Sequence, residues 1–252
     1  MSKSTVDIII PTVDQNEGML ALCVESLLAS CDANILIINN GSQRIKIGDH
    51  RITLIEAGGN IGWERGLKLG LQHSKTPCVV FANDDIFIPR SSYGWLDQLL
   101  RTLRQNHVGA VGPSSNVVMG PQTIFYNLRE SVIEVNFLIG FCVLFSREAL
   151  DAVGGVDDTL PGGDDLDLSI RLRNAGWRLL CRRDVFVWHY GFQTGIRLRG
   201  GPEKSGGWNS KSMQDATMNA IIARHGEKAW KSLSMPFRSL SAKNSSNLES
   251  LK

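Results

Sequence analysis

Phe81-Ala82-Asn83-Asp84-Asp85-Ile86 carries an apolar run straight into acidic residues, and a second acidic cluster, Gly162-Gly163-Asp164-Asp165-Leu166-Asp167, follows later in the chain. The end of a buried strand is a rigid place to put carboxylates. Hard cations such as Mg²⁺ and Mn²⁺ take oxygen ligands and are usually held by one or two carboxylates together with substrate phosphates. The first cluster therefore suits a metal diphosphate, and the second is placed to supply a base. Adjacent anions at a strand end are costly unless paired or metal-bound, which favours a functional reading of the first cluster. The second is also how an amphipathic helix is capped, with Leu168, Leu172 and Ala175 following and Gly176 closing it, although a cap needs only one of three acids.

Outward from these clusters, strand-like runs at 6–10, 35–38, 52–55, 78–82, 108–111, 138–145 and 179–187 are mostly unbroken apolar, as strands buried on both faces are. Helical stripes separate them. Leu20, Cys23, Val24, Leu27 and Leu28 follow one helical face; Leu96, Leu99, Leu100 and Leu103 repeat it after Ser91-Ser92. This order predicts an α/β fold with a mostly parallel central sheet and helices on both faces, in which ligands bind beyond the carboxyl ends of the strands. Pro11 to Asn16 and Asn83 to Asp85 lie at such ends.

The chain has 252 residues, 42% hydrophobic and 21% charged, enough for a large core in one large or two small domains. No apolar run approaches the ~20 residues that span a bilayer. The N-terminus shows no signal-peptide pattern, so a cytoplasmic location is expected. Five scattered cysteines without a CxxC pair read as reduced core residues. Residues 171–252 hold 15 Lys/Arg against 5 Asp/Glu, and residues 1–170 hold 12 against 20. An acidic half followed by a basic one suits an anionic ligand gripped between them, while any single arginine of Arg171, Arg173, Arg178, Arg182 and Arg183 equally suits a solvated surface. Gly191 to Asn209 is long, Gly-rich and basic, in the manner of a functional lid or a disordered loop, and the Ser/Asn-rich end from Ser232 reads as a mobile tail.

The motifs in order resemble a family 2 glycosyltransferase of the GT-A fold, in particular its rhamnosyltransferase-like branch. The matches are Ile8-Ile9-Ile10-Pro11-Thr12, Ile37-Ile38-Asn39-Asn40-Gly41-Ser42, Gly59-Asn60-Ile61-Gly62-Trp63-Glu64-Arg65-Gly66, Phe81 to Asp85, Gly154-Gly155-Val156-Asp157, Gly163 to Trp177, and Val187-Trp188-His189-Tyr190. They cover residues 5–195, implying a catalytic core over 1–195, a lid and helix over 196–231 and a tail over 232–252.

The resemblance implies an inverting transfer of a sugar from a nucleotide-sugar donor, a UDP- or dTDP-sugar, to an acceptor hydroxyl on a saccharide, with Mn²⁺ or Mg²⁺. It places Pro11, Thr12, Asn39, Asn60, Gly62, Asn83 and Asp84 beside the nucleotide, Asp85 and His189 on the metal, and the base at Asp165, with Asp164 as the alternative. Asn39 and Asn83 stand where the family usually has Asp. Arg197 and Arg199, with Lys204, would close over the diphosphate, and Trp208 would stack on a sugar ring. A turn role suits Asn39, Asn60 and Gly62 equally, and a lone histidine beside Trp188 and Tyr190 also suits a structural hydrogen bond. Two other readings stand: nucleic acid bound through the basic third, making a DNA-modifying glycosyltransferase, and a non-catalytic nucleotide-binding protein. The oligomeric state is open.

Overall fold

The structure, a computed structural model, describes residues 5–13, 17–124, 130–191, 211–233 and 238–239. In chain order the elements are β1 (Val6–Thr12), α1 (Glu17–Ser30), β2 (Asn34–Asn39), β3 (Ile52–Glu56), α2 (Trp63–His73), β4 (Cys78–Ala82), β5 (Ile86–Phe87) and α3 (Trp95–Leu103). There follow β6 (Val108–Ser114), β7 (Val132–Glu134), β8 (Cys142–Ser146), α4 (Arg147–Ala152), α5 (Asp164–Asn174), β9 (Arg178–Phe186), β10 (Trp188–His189), α6 (Lys211–His225), α7 (Glu227–Leu233) and β11 (Arg238–Ser239).

Nine strands form one sheet in the order β11-β7-β9-β6-β8-β4-β1-β2-β3, and β10 pairs with β5 in a separate ribbon. The pairings β1·β2, β1·β4, β2·β3 and β6·β9 are parallel. Among the described residues only β8 and β7 run against the other strands of the sheet, each pairing antiparallel on both sides. The mostly parallel α/β fold expected from the sequence is what forms.

Alternation explains the unbroken apolar strands. Ile8 and Ile10 of β1 point into one core with Leu20, Val24 and Leu27 of α1 and Leu96 and Leu99 of α3. Ile9, between them, points into the other core with Leu67 of α2, Ala149 of α4 and Leu168 of α5. A third cluster joins Leu166 and Ile170 of α5 to Ile221 and Leu233. The C-terminal helices thus sit on the helix that carries the second acidic cluster.

Two sequence expectations change. Residues 138–141 are not strand: β8 begins at Cys142, and the peptide before it turns across the strand ends. The helix of the second acidic cluster, α5, is not capped by an acid; its N-cap is Gly163 at φ 75°, with no side-chain cap bond, and Asp164 and Asp165 lie in its first turn. Among the described residues no helix is long and apolar enough to cross a membrane.

Candidate active site

At the carboxyl end of β4 the chain turns into the short β5, whose antiparallel partner β10 brings His189 opposite Ile86. This ribbon gathers Asn83, Asp85 and His189, which are 106 residues or fewer apart in sequence. Asp85 is 4% exposed, and its Oδ1 makes no hydrogen bond. His189 Nε2 stands 3.2 Å from that oxygen, within ion-pair reach. Asn83 Nδ2 lies 3.1 Å from the same ring nitrogen. Nδ1 is 2.7 Å from the Val117 carbonyl, which can only accept, so Nδ1 carries the proton and Nε2 presents its lone pair when the ring is neutral. Burial disfavours charge on the ring, but the Asp85 carboxylate, the Val117 carbonyl and the charge of Asp84 together raise its pKa above the ordinary value.

A buried carboxylate oxygen without a hydrogen bond, facing a histidine lone pair whose other nitrogen is anchored to a carbonyl, is a donor set that fits a divalent cation. Among the described residues no three His, Cys, Asp or Glu side chains are grouped to hold an ion. A cation here would draw its remaining ligands from substrate oxygens, as Mg²⁺ commonly does.

The strand-end residues expected beside a nucleotide largely hold each other. Thr12 Oγ1 donates to Asp84 Oδ2 at 2.5 Å, fastening the end of β1 to the end of β4. Asn39 is engaged on both polar atoms: Nδ2 donates to Glu56 Oε2 at 2.8 Å and to the Gln43 carbonyl, and Oδ1 accepts from Gly41 N. Glu56 is the residue the sequence reading missed there; it sits beside Asn39 in the register of β2 and β3. Asn60 Oδ1 accepts from Gly62 N, closing the turn into α2. Pro11 packs where a Cβ on Gly66 would come within 2.9 Å of its own Cβ, so Gly66 lets α2 lie against β1. Asn40, which also holds the Gly62 carbonyl, keeps a buried Oδ1 without a partner at this strand end.

Asp164 and Asp165 stand in the first turn of α5, on one wall of a mostly apolar cleft with Trp63, Phe81 and Gly140. Asp165 Oδ2 accepts from Gly140 N at 3.2 Å and Oδ1 from Leu166 N at 2.8 Å. Burial pushes the Asp165 carboxyl up to about 6 against those hydrogen bonds, and the Glu64 charge adds to the rise. Asp164 is raised well above the carboxylate range by burial, then by the charges of Asp165 and Glu64. Both residues keep partial solvent contact. A carboxyl poised near 6 can accept a proton at neutral pH, and Asp165 is held in orientation by the Gly140 and Leu166 N–H groups.

The third acid of the cluster has a different task. Asp167 is fully buried and bonds Arg171 Nε and His225 Nε2, each at 2.7 Å, with Arg224 Nη1 at 3.4 Å. It ties α5 to the end of α6. Arg178 pairs with Glu134, Arg182 with Asp184, and Arg183 donates to the Pro121 and Thr123 carbonyls. These three arginines of the basic third are engaged in ion pairs and carbonyl hydrogen bonds within the fold. Asn16, Arg197, Arg199, Lys204 and Trp208 lie outside the described residues.

Residues 7–154 match the family described as glycosyl transferase family 2. The chain is 29% identical over 209 residues to the uncharacterized protein Rv1525 of Mycobacterium tuberculosis, covering 77% of each. It is 24% identical over 221 residues to the O-antigen biosynthesis protein RfbC of Myxococcus xanthus, covering 73% of this chain and 17% of that protein. Among solved structures, GalNAc-T7 with UDP, GalNAc and Mn²⁺ aligns at a TM-score of 0.62 and 14% identity over 73% of this chain and 43% of its own. The mannosyltransferase PcManGT from Pyrobaculum calidifontis, in complex with GDP-Man and Mn²⁺, aligns at 0.59 and 19% identity over 90% of this chain and 77% of its own. At these identities the two structures speak for a shared fold.

Proposed function

From the premise that the chain belongs to glycosyl transferase family 2 and is a glycosyltransferase, we propose that it moves a sugar from a nucleotide-sugar donor to a saccharide hydroxyl with inversion at the anomeric carbon. The observation that carries this reading is the pairing of two unlike carboxylates. Asp165 is raised toward neutrality and held by the Gly140 N–H. Asp85 is buried with a bare oxygen facing His189.

Asp165 takes the proton of the acceptor hydroxyl while that oxygen attacks the anomeric carbon from the face opposite the diphosphate. The new C–O bond forms as the bond to the diphosphate oxygen breaks, and the electron pair leaves on the nucleoside diphosphate. Asp85 and His189 would hold Mg²⁺ or Mn²⁺, whose charge would stabilise the leaving diphosphate. The complexes of GalNAc-T7 with UDP and Mn²⁺ and of PcManGT with GDP-Man and Mn²⁺ support a nucleotide-linked donor, here taken to be a UDP- or dTDP-sugar. The likeness to an O-antigen biosynthesis protein supports a saccharide acceptor and the rhamnosyltransferase-like branch. The cysteines among the described residues are unpaired, in keeping with a cytoplasmic setting.

Thermal unfolding of the purified protein with UDP-, dTDP-, GDP- and CDP-sugars, each with and without Mn²⁺, tests the donor, because a ligand bound only by the native state stabilises it. A shift that needs both Mn²⁺ and one nucleotide class is expected. Stabilisation that is equal without metal overturns the metal role, and the anomeric coupling constant of the product decides inversion.

A further inference from the structure

Residues 140 and 141 touch both halves of the site. Gly140 N donates to Asp165 Oδ2 at 3.2 Å. The Phe141 carbonyl accepts from Asn83 N at 2.9 Å, fixing the peptide that leads into Asp85. The Phe141 ring, itself 2% exposed, stacks on the His189 imidazole with centroids 5.3 Å apart and planes 22° from parallel. His189 has its Nδ1 tethered to Val117, its main-chain N–H held by Asn116 Oδ1 at 2.9 Å and its Nε2 edge met by Asp85 and Asn83, and Phe141 supplies a flat contact against the face of the ring.

We infer that Gly140-Phe141 is a positioning strut that holds the metal-side histidine and the base carboxylate in register, with Phe141 acting through His189. This rests on the reading of Asp85 and His189 as cation ligands. The sequence pattern of an apolar strand hid it, because Phe141 reads as one more core residue until the chain is seen to leave the sheet there. A ligating imidazole must aim its lone pair along a narrow direction, and groups that orient such ligands typically alter metal affinity 10- to 100-fold when removed. Phe141→Leu keeps an apolar side chain of similar bulk and removes the flat face.

The test is a double-mutant cycle read by calorimetric titration of Mn²⁺ into protein saturated with UDP, dTDP and GDP in turn, for wild type, Phe141→Leu, His189→Ala and both together, with the melting temperature of each as a fold control. Phe141→Leu is expected to weaken Mn²⁺ binding about tenfold in the wild-type background and less than about twofold when His189 is already Ala. Equal weakening in both backgrounds, or a lowered melting temperature with unchanged Mn²⁺ binding, makes Phe141 a packing residue and overturns the inference. Wild-type protein that takes up no Mn²⁺ with any of the three nucleotides overturns the cation reading itself, and the inference with it. If Phe141→Leu does not fold, Phe141→Met takes its place in the cycle with the same expectations.

Discussion

Single residues divide the acidic clusters into unlike roles, and burial together with hydrogen bonding does the dividing. Asp165→Asn keeps the shape of the side chain and removes the proton acceptor, so transfer is expected to fall about 10²- to 10⁴-fold while Mn²⁺-dependent donor binding stays within a few-fold. Full turnover in that variant would falsify the base assignment. Because Asp165 must be ionised to act and its carboxyl is pushed up to about 6, kcat/KM should fall about tenfold per pH unit below that value and level off above it. The same shift acts on stability. A carboxyl raised from 3.8 favours its protonated form in the folded state, so its contribution is fully present below about 3.8 and is lost as pH rises through about 6. Wild type should therefore lose about 2 kcal/mol relative to Asp165→Asn between pH 4 and pH 8, read as the difference in urea midpoints at each pH; parallel pH profiles would refute it. Asp85→Ala removes the bare oxygen beside His189, and Mn²⁺ should then add nothing to the thermal shift given by the nucleotide sugar alone. Asp85, Asp165 and His189 were legible as candidates because strand-end acids and a late histidine are unusual residues in apolar surroundings. Glu56 was not, since an acid closing β3 looks like any polar strand end until the register sets it beside Asn39.

Helix α5 shows how an element is built to present a side chain. Its start is Gly163 at φ 75°, and a Cβ there would meet Thr217 Cγ2 of α6 at 2.6 Å. Two separate costs follow for Gly163→Ala: left-handed backbone strain of about 1–3 kcal/mol and a clash against a buried threonine. Thr217→Ser removes only the methyl, so it should recover the clash and leave the strain, and a double mutant no more stable than Gly163→Ala by urea unfolding would show that α6 does not press on this turn. Lower down the same helix, Asp167 neutralises Arg171, whose Nη1 holds the carbonyls of Val153 and Gly155 at 2.7 Å each. Asp167→Ala leaves the partly buried Arg171 guanidinium without its carboxylate and should cost about 3 kcal/mol, more than loss of an exposed pair such as Lys231–Glu227. The sequence showed an amphipathic helix with three acids at its start; it could not show which acid faces α6, because that depends on a packing partner 58 residues away.

The whole molecule is a sheet in two halves with the site at the seam. On one side β4, β1, β2 and β3 are parallel; on the other β6 and β9 run with them; β8 lies between β4 and β6, antiparallel to both. Unbroken apolar runs and alternating helices made the parallel halves legible from residue pattern alone. The antiparallel insertion was not, since strand direction depends on where the connection returns, and the turn at 138–141 has the composition of the strand that follows it. That insertion sets the site: it is the entry into β8 that carries Gly140 and Phe141 across the end of β4 toward α5. Leu144, fully buried in the middle of β8, faces Val80 on one side and Val111 on the other. Leu144→Ala should cost about 2–5 kcal/mol. If β8 couples the halves, that loss lowers one shared urea transition, and tryptophan fluorescence and far-UV circular dichroism stay coincident in the variant as in wild type. Separated transitions would mean that each half holds its own core and that the seam, with the two carboxylates on either side of it, is free to open without global unfolding.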